Sequence, residues 1–138
     1  MLNLDTHIVV ALLNGELRPA EQNAISAEPL AISDIVLWEL SKLVELGRLE
    51  LDLNDVEMRD FLRNTTIFPI TLEIAQKSRK LDFKSDPADE IIAATSIIEK
   101  IPLGSRPRTR NRSGCPQRFP GTGRELAGKK KVRMKNEK

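Results

Sequence analysis

The chain has 138 residues, 40% of them hydrophobic, enough for one domain with its own core. It lacks the run of about 18 apolar residues that a membrane span needs, no basic segment precedes the first apolar stretch as in a secretory leader, and a single cysteine, Cys115, excludes an internal disulfide framework and fits a reducing cytoplasm. The net charge of +2 hides a division: residues 1–103 hold 10 Lys/Arg and 18 Asp/Glu, net −8, whereas residues 104–138 hold 12 and 2, net +10.

In chain order, residues 2–4 read as a short buried strand, and Thr6 to Leu13 as a helix with Asp5 or Thr6 near its N-cap. Pro19 opens a second helix to about Ala27. Leu30-Ala31-Ile32 reads as a second strand. Ser33 then caps a helix from Asp34 to Leu46, whose apolar residues Val36, Leu37, Leu40, Leu43, Val44 and Leu46 follow helical spacing and which Gly47 ends. Asn54 is the expected cap of a helix over about 55–63. The β-branched, apolar stretch Thr65 to Ile70 predicts a third strand. Thr71 caps a helix to about Lys80. Asp86-Pro87 starts another, running to about Glu99, with Asp86 as cap and Pro87 at the first helical position. Ile101-Pro102-Leu103 begins a fourth strand.

Strands alternating with helices predict parallel β-α units and an α/β fold with a central parallel sheet. Sites in such folds gather beyond the carboxyl ends of the strands. Asp5 follows the first strand directly, so it is either a helix cap or a ligand facing that edge. Glu39, beside the sole tryptophan in SDIVLWELSKL, and Asp89, in the first turn of DPADEIIAATS, are the other acids set against apolar segments. Taken singly, each also reads as an ordinary cap, a surface residue or a favourable charge at a helix N-terminus. Thr6 and Ser33 are candidate hydroxyl partners for these acids, or simply caps. His7, the only histidine, reads as a helix or interface residue.

Together, LDTH, LAISDIVLWELSKLVELGRLEL, ITLEIAQKSRKL and DPADEIIAATS resemble the PIN-domain ribonucleases, nearest to the VapC-type toxins of toxin–antitoxin pairs. The resemblance spans about residues 1–103. It implies a three-layer α/β/α sandwich and an acidic pocket that binds Mg²⁺ or Mn²⁺ and hydrolyses RNA phosphodiesters. Residue by residue, it makes Asp5, Glu39 and Asp89 the metal-binding, catalytic acids, with Asp86 as a helix cap close by. It further implies a cognate antitoxin, a homodimer and a cytoplasmic location. The alternative is a catalytically inactive remnant that still binds its antitoxin. The chemistry suits clustered acids, because converging carboxylates raise one another's pKa unless a hard cation joins them.

The likeness ends after Leu103. Members of the family continue with a Thr/Ser-Arg-Asp motif, whose aspartate is a fourth acid, and with a last strand. Here the chain reads IPLGSRPRTRNRSGCP, and no acid follows until Glu125. Residues 1–103 thus form a PIN-like domain lacking its last strand, and residues 104–138 a basic tail that reads as disordered on composition. Two readings of the tail stand. Its Lys and Arg could neutralise RNA phosphates, although Phe119 is its lone aromatic. Alternatively, the tail is the product of a frameshift: codons for SRPRTRNRSGCP can be chosen so that a one-nucleotide shift yields RDRELAIARGVP, which restores Arg-Asp in place. The gene's sequence decides this. The frameshift reading expects a one-base change near codon 104 to open an Arg-Asp-containing frame, and fails if none does.

Overall fold

A computed structural model describes residues 1–106 of the chain. Four strands form one parallel sheet: β1 (Leu2–Leu4), β2 (Leu30–Ser33), β3 (Thr65–Phe68) and β4 (Leu103–Gly104), in the order β3-β2-β1-β4. Six helices flank it: α1 (Thr6–Asn14), α2 (Pro19–Ser26), α3 (Ile35–Glu45), α4 (Val56–Arg63), α5 (Leu72–Ser78) and α6 (Pro87–Glu99). The expected α/β fold with a central parallel sheet is therefore present. Every strand ends at the same edge of the sheet, because all pairings are parallel.

β1 is an inner strand of three residues, paired on both sides. Leu2 pairs with Leu30, Asn3 with Ala31 and Leu103, and Leu4 with Gly104. All three of its residues are buried, so both faces of the sheet are covered here, as apolar strands of parallel sheets require. Leu2, Leu4, Ile8, Val9, Ile32, Val36, Leu40 and Ile92 are the large, fully buried members of the core. Burial of each such side chain stabilises the fold by about 1.5–3 kcal/mol before the entropy of ordering is set against it.

The helix starts follow local capping chemistry. Asp5 accepts from the Ile8 amide (3.1 Å), Thr71 from Ile74 (3.1 Å) and Asp86 from Asp89 (3.0 Å). Three predicted details differ. The cap of α4 is Asp55, not Asn54: the helix begins at Val56, and only Asp55 lies where its carboxylate reaches the Met58 amide (2.9 Å). Ser33 is the last residue of β2, and Asp34 takes the N-cap position of α3 with helical backbone angles and no side-chain cap bond. β3 stops at Phe68, because Pro69 has no amide to extend the ladder.

The far end of the sheet is tied down by an ion pair. Arg106 grips Glu21 of α2 with two bonds, Nε to Oε2 at 2.8 Å and Nη2 to Oε1 at 2.9 Å. The Arg18 amide donates a third bond to Oε1 at 2.9 Å. Gly104 completes β4, Ser105 is buried and Arg106 is bound to α2, so these three residues belong to the folded body. The remainder of the expected tail, 107–138, with Cys115, Glu125 and any further strand, lies outside the described residues.

Glu21 is almost fully buried. Burial alone would raise its pKa, but the hydrogen bond and charge of Arg106, with the amide and charge of Arg18, outweigh it, and the carboxyl is held below the usual glutamate range. A lowered folded pKa means the pair stabilises the protein above the unfolded-state pKa and loses that contribution as pH falls through the folded value. Glu21→Gln is therefore expected to cost about 2–3 kcal/mol at pH 7, since it leaves a half-buried guanidinium without its counter-charge. Chemical denaturation should show the difference from wild type shrinking as the pH drops below that of an ordinary glutamate.

Candidate functional site

The carboxyl edge of the sheet collects the acids. Asp5 leaves β1 and caps α1, and its own amide donates to the Gly104 carbonyl (3.2 Å), which sets it beside the end of β4. It is buried, 8% exposed, so it is no ordinary surface cap. Asp89 sits in the first turn of α6. Its amide is capped by Asp86, and its Oδ2 accepts from the Ser85 hydroxyl (2.9 Å). Ser85 is itself held through its amide by Glu90 Oε2 (2.9 Å). Glu39 lies on the second turn of α3, half-buried, and its Oε1 accepts from the hydroxyl of Thr6.

Glu39 carries the electrostatic mark of the site. Burial raises its pKa first; the Thr6 hydrogen bond opposes this; the charges of Asp86 and Asp89 raise it further, and His7 opposes weakly. The net direction is upward, because a half-buried carboxylate faces two others. The packing agrees with this: α3 and α6 are in contact, and Thr6, next to Asp5, touches Glu39. The sequence-predicted residues thus share one region. Among the described residues, however, no three His, Cys, Asp or Glu side chains form a group that could hold a metal ion as they stand.

The donor set nevertheless suits a hard divalent cation. Asp5, Glu39 and Asp89 offer carboxylate oxygens, with no sulfur or imidazole among them, as Mg²⁺ and Mn²⁺ prefer. The ionised form of Glu39 is less favoured than that of a free glutamate, and a cation would offset that. Each of these acids already has an orienting partner, a common feature of groups that hold metals. His7 is exposed on α1 and touches the site only through its charge. Ser33, the other predicted hydroxyl partner, instead accepts from the Ile35 amide at 3.3 Å, closing a local turn.

Three residues were missed by reading the sequence. Ser85 precedes the Asp-Pro signal and was hidden by it; its offset of four from Asp89 was the available clue. Asp34 was taken as an ordinary helical residue, yet its Oδ1 is buried without a hydrogen-bond partner among the described residues, at the end of β2. Asn3 is the one polar residue in an apolar strand, and that contrast could have flagged it. Its Nδ2 donates to the Ile92 carbonyl (3.2 Å) and to Ser96 Oγ (2.9 Å), joining β1 to α6.

Comparison with known proteins follows the same lines. The family model described as "PIN domain" matches residues 3–105. The toxin–antitoxin complex from Klebsiella pneumoniae is similar at 25% identity and a TM-score of 0.63, over 86% of this chain and 97% of that one. VapBC2 from Rickettsia felis, solved bound to a DNA fragment from its promoter, is similar at 20% identity and a TM-score of 0.66, over 86% and 98%. FitAcB from Neisseria gonorrhoeae is similar at 17% identity and a TM-score of 0.58, over 78% and 88%. The last two likenesses are of fold alone. No curated protein matches the chain by sequence.

The raised pKa of Glu39 has a sign that can be checked. Its ionised form is disfavoured in the folded state, so the metal-free protein carries a penalty above the folded pKa that vanishes below the unfolded one. Glu39→Gln, which can still accept from Thr6, is expected to raise the thermal midpoint of the chelator-treated protein by roughly 2–5 °C at pH 7. At pH 4 the two proteins should melt together. A lower midpoint for the variant at pH 7 would mean that the carboxylate is a net stabiliser.

Proposed function

The chain belongs to the PIN domain family, and from that premise we propose that it is a VapC-type toxin that hydrolyses RNA phosphodiester bonds with Mg²⁺ or Mn²⁺. The observation that carries the reading is the crowding of Glu39 by Asp86 and Asp89, next to the Thr6 that follows Asp5. On this reading Asp5, Glu39 and Asp89 hold the cation and are the catalytic acids. A bound cation would supply polarisation of a phosphoryl oxygen and a water of lowered pKa.

The protein's own groups do the rest. Thr6 fixes the rotamer of Glu39, and Ser85 that of Asp89, so both carboxylates keep their direction without a ligand. Asp89, in the first turn of α6, also occupies the position where that helix's positive dipole end favours a negative charge. Asp86 serves as the cap and adds negative charge beyond the three ligands. An antitoxin partner, a homodimer and a cytoplasmic location complete the proposal. The Klebsiella structure is a toxin–antitoxin complex, which supports the first of these. Among the described residues no helix is long and apolar enough to cross a membrane.

A second reading, a catalytically inactive remnant that binds its antitoxin, is favoured by one specific observation. Where the family pattern expects an acid after Ser105-Arg106, the sequence has Pro107, and Arg106 itself is committed to Glu21. The two readings separate by activity in the full-length protein. The enzyme reading expects cleavage of single-stranded RNA with Mn²⁺, stopped by chelator, and reduced at least ~100-fold by Asp5→Asn. Asparagine caps a helix as well as aspartate does, so loss of activity with an unchanged melting point isolates the ligand role. Absent cleavage at every cation concentration, with antitoxin binding retained, supports the remnant.

A further inference from the structure

Asn3 is fully buried in the middle of the central strand, and the proposed chemistry makes no use of it. Its Nδ2 donates twice to α6, but its Oδ1 is buried without a partner among the described residues. An orphaned buried acceptor costs about 1–3 kcal/mol, so a leucine of similar volume would serve the core at least as well. An asparagine that is costly for stability is explained if it fixes a register, as single buried asparagines do between packed helices.

The geometry points to Asn3 as the positioning residue that sets α6 against β1, and so sets Asp89 opposite Asp5; this rests on the metal-site reading given above. Asp5 follows β1 directly with a still extended backbone and with its amide bonded to Gly104 of β4, so the strand's alternation of sides carries on from Asn3 to Asp5. Asp89, Ile92 and Ser96 are spaced three and four apart on α6, so they share one helical face. The two bonds of Asn3 land on that face, at Ile92 and Ser96. From Asn3 to Asp5 is about 6.6 Å along the strand. From Ile92 to Asp89 is about 4.5 Å along the helix, and from Ser96 about 10 Å. α6 runs into β4, which is parallel to β1, so its N-terminus lies at the carboxyl edge of the sheet. Both offsets therefore lead from the Asn3 contact to that edge. Core packing of Ile92, Ala93 and Ala94 is apolar and has no directional preference of its own. A slip of α6 by one residue would turn Asp89 by about 100° away from the site. The paired bonds of Asn3 oppose that slip: the equivalent pair one residue back, the Ile91 carbonyl and the Thr95 hydroxyl, is already joined by its own hydrogen bond (2.8 Å), whereas Ile92 O and Ser96 Oγ both receive the Asn3 amide.

The test uses Asn3→Leu and Ser96→Ala in the full chain, with Mn²⁺ as probe. Asn3→Leu is expected to keep or raise the thermal midpoint of the metal-free protein, and to weaken Mn²⁺ binding by about tenfold in calorimetry. Ser96→Ala, which removes one bond of the two, should weaken it less. In metal-free protein, amide NMR signals of residues 87–96 should broaden or double in Asn3→Leu while those of β2 stay single. Wild-type Mn²⁺ affinity in Asn3→Leu, or a single unshifted set of α6 signals, overturns the inference. So does a collapse of Asn3→Leu with Ser96→Ala unaffected in affinity, which would make Asn3 a stability residue. If the wild type itself binds no Mn²⁺, the metal-site reading fails, and the NMR comparison alone decides whether Asn3 sets the register.

Discussion

The constraint on which the structure turns is the enclosure of β1. Three residues, Leu2 to Leu4, pair with β2 on one side and β4 on the other, and are covered on both faces. Such a strand can be neither shifted nor exposed without breaking hydrogen bonds on two sides and burying polar groups unpaired. The residue that follows therefore has a fixed position. Asp5 emerges at the carboxyl edge with its amide bonded to Gly104 and its carboxylate committed to the first turn of α1. Thr6 comes next and takes hold of Glu39, so α3 is oriented from β1 as well. The position of each acid descends from that one strand.

Two buried glutamates illustrate how the same burial produces opposite results. Glu21 and Glu39 both lose solvent, and for both burial is the largest influence on the carboxyl. Glu21 receives a bidentate guanidinium and a backbone amide, and its pKa ends below the ordinary value. Glu39 receives one hydroxyl and faces two aspartates, and its pKa ends above. The first is a closed structural contact in which charge is fully answered. The second gathers the negative charges of Asp86 and Asp89 about a carboxylate that has lost solvent. Divergent shifts of like groups are a sign of differing roles, and a gathering of carboxylates is where a ligand of opposite charge has something to gain.

Much of this was legible in the sequence, for physical reasons that differ by element. Helix starts at Asp5, Thr71 and Asp86 were readable because capping is a local interaction over three residues. The parallel sheet followed from the alternation of β-branched or apolar runs with helical periodicity. The cap at Asp55 was missed by one residue, because Asn54 and Asp55 are both good caps and only the packing of Met58 and Phe61 selects the start. Longer contacts were invisible. Asn3 to Ser96 spans 93 residues and Glu21 to Arg106 spans 85, and neither pair leaves a periodic trace. The three acids were named through family likeness and local context; their separation at rest, with no preformed metal group among the described residues, could come only from coordinates.

The Glu21–Arg106 pair bears on the missing fourth acid. In the family pattern an acid follows the Ser-Arg step at the end of the last paired strand; this chain has the Ser-Arg step and then proline. An arginine left loose at that edge would stand near Asp5 and oppose the gathering of cations there. Glu21 takes up the Nε–Nη2 edge of its guanidinium and ties it to α2, which answers that positive charge there. On the proposed reading, the pocket holds Asp5, Glu39 and Asp89, one carboxylate short of the family pattern. Mg²⁺ commonly binds through one or two carboxylates and retains waters for the rest of its shell, so three acids meet its needs. What a fourth would add is rigidity and a higher affinity. On that reading the absence of a fourth acid would fall first on how much cation is needed.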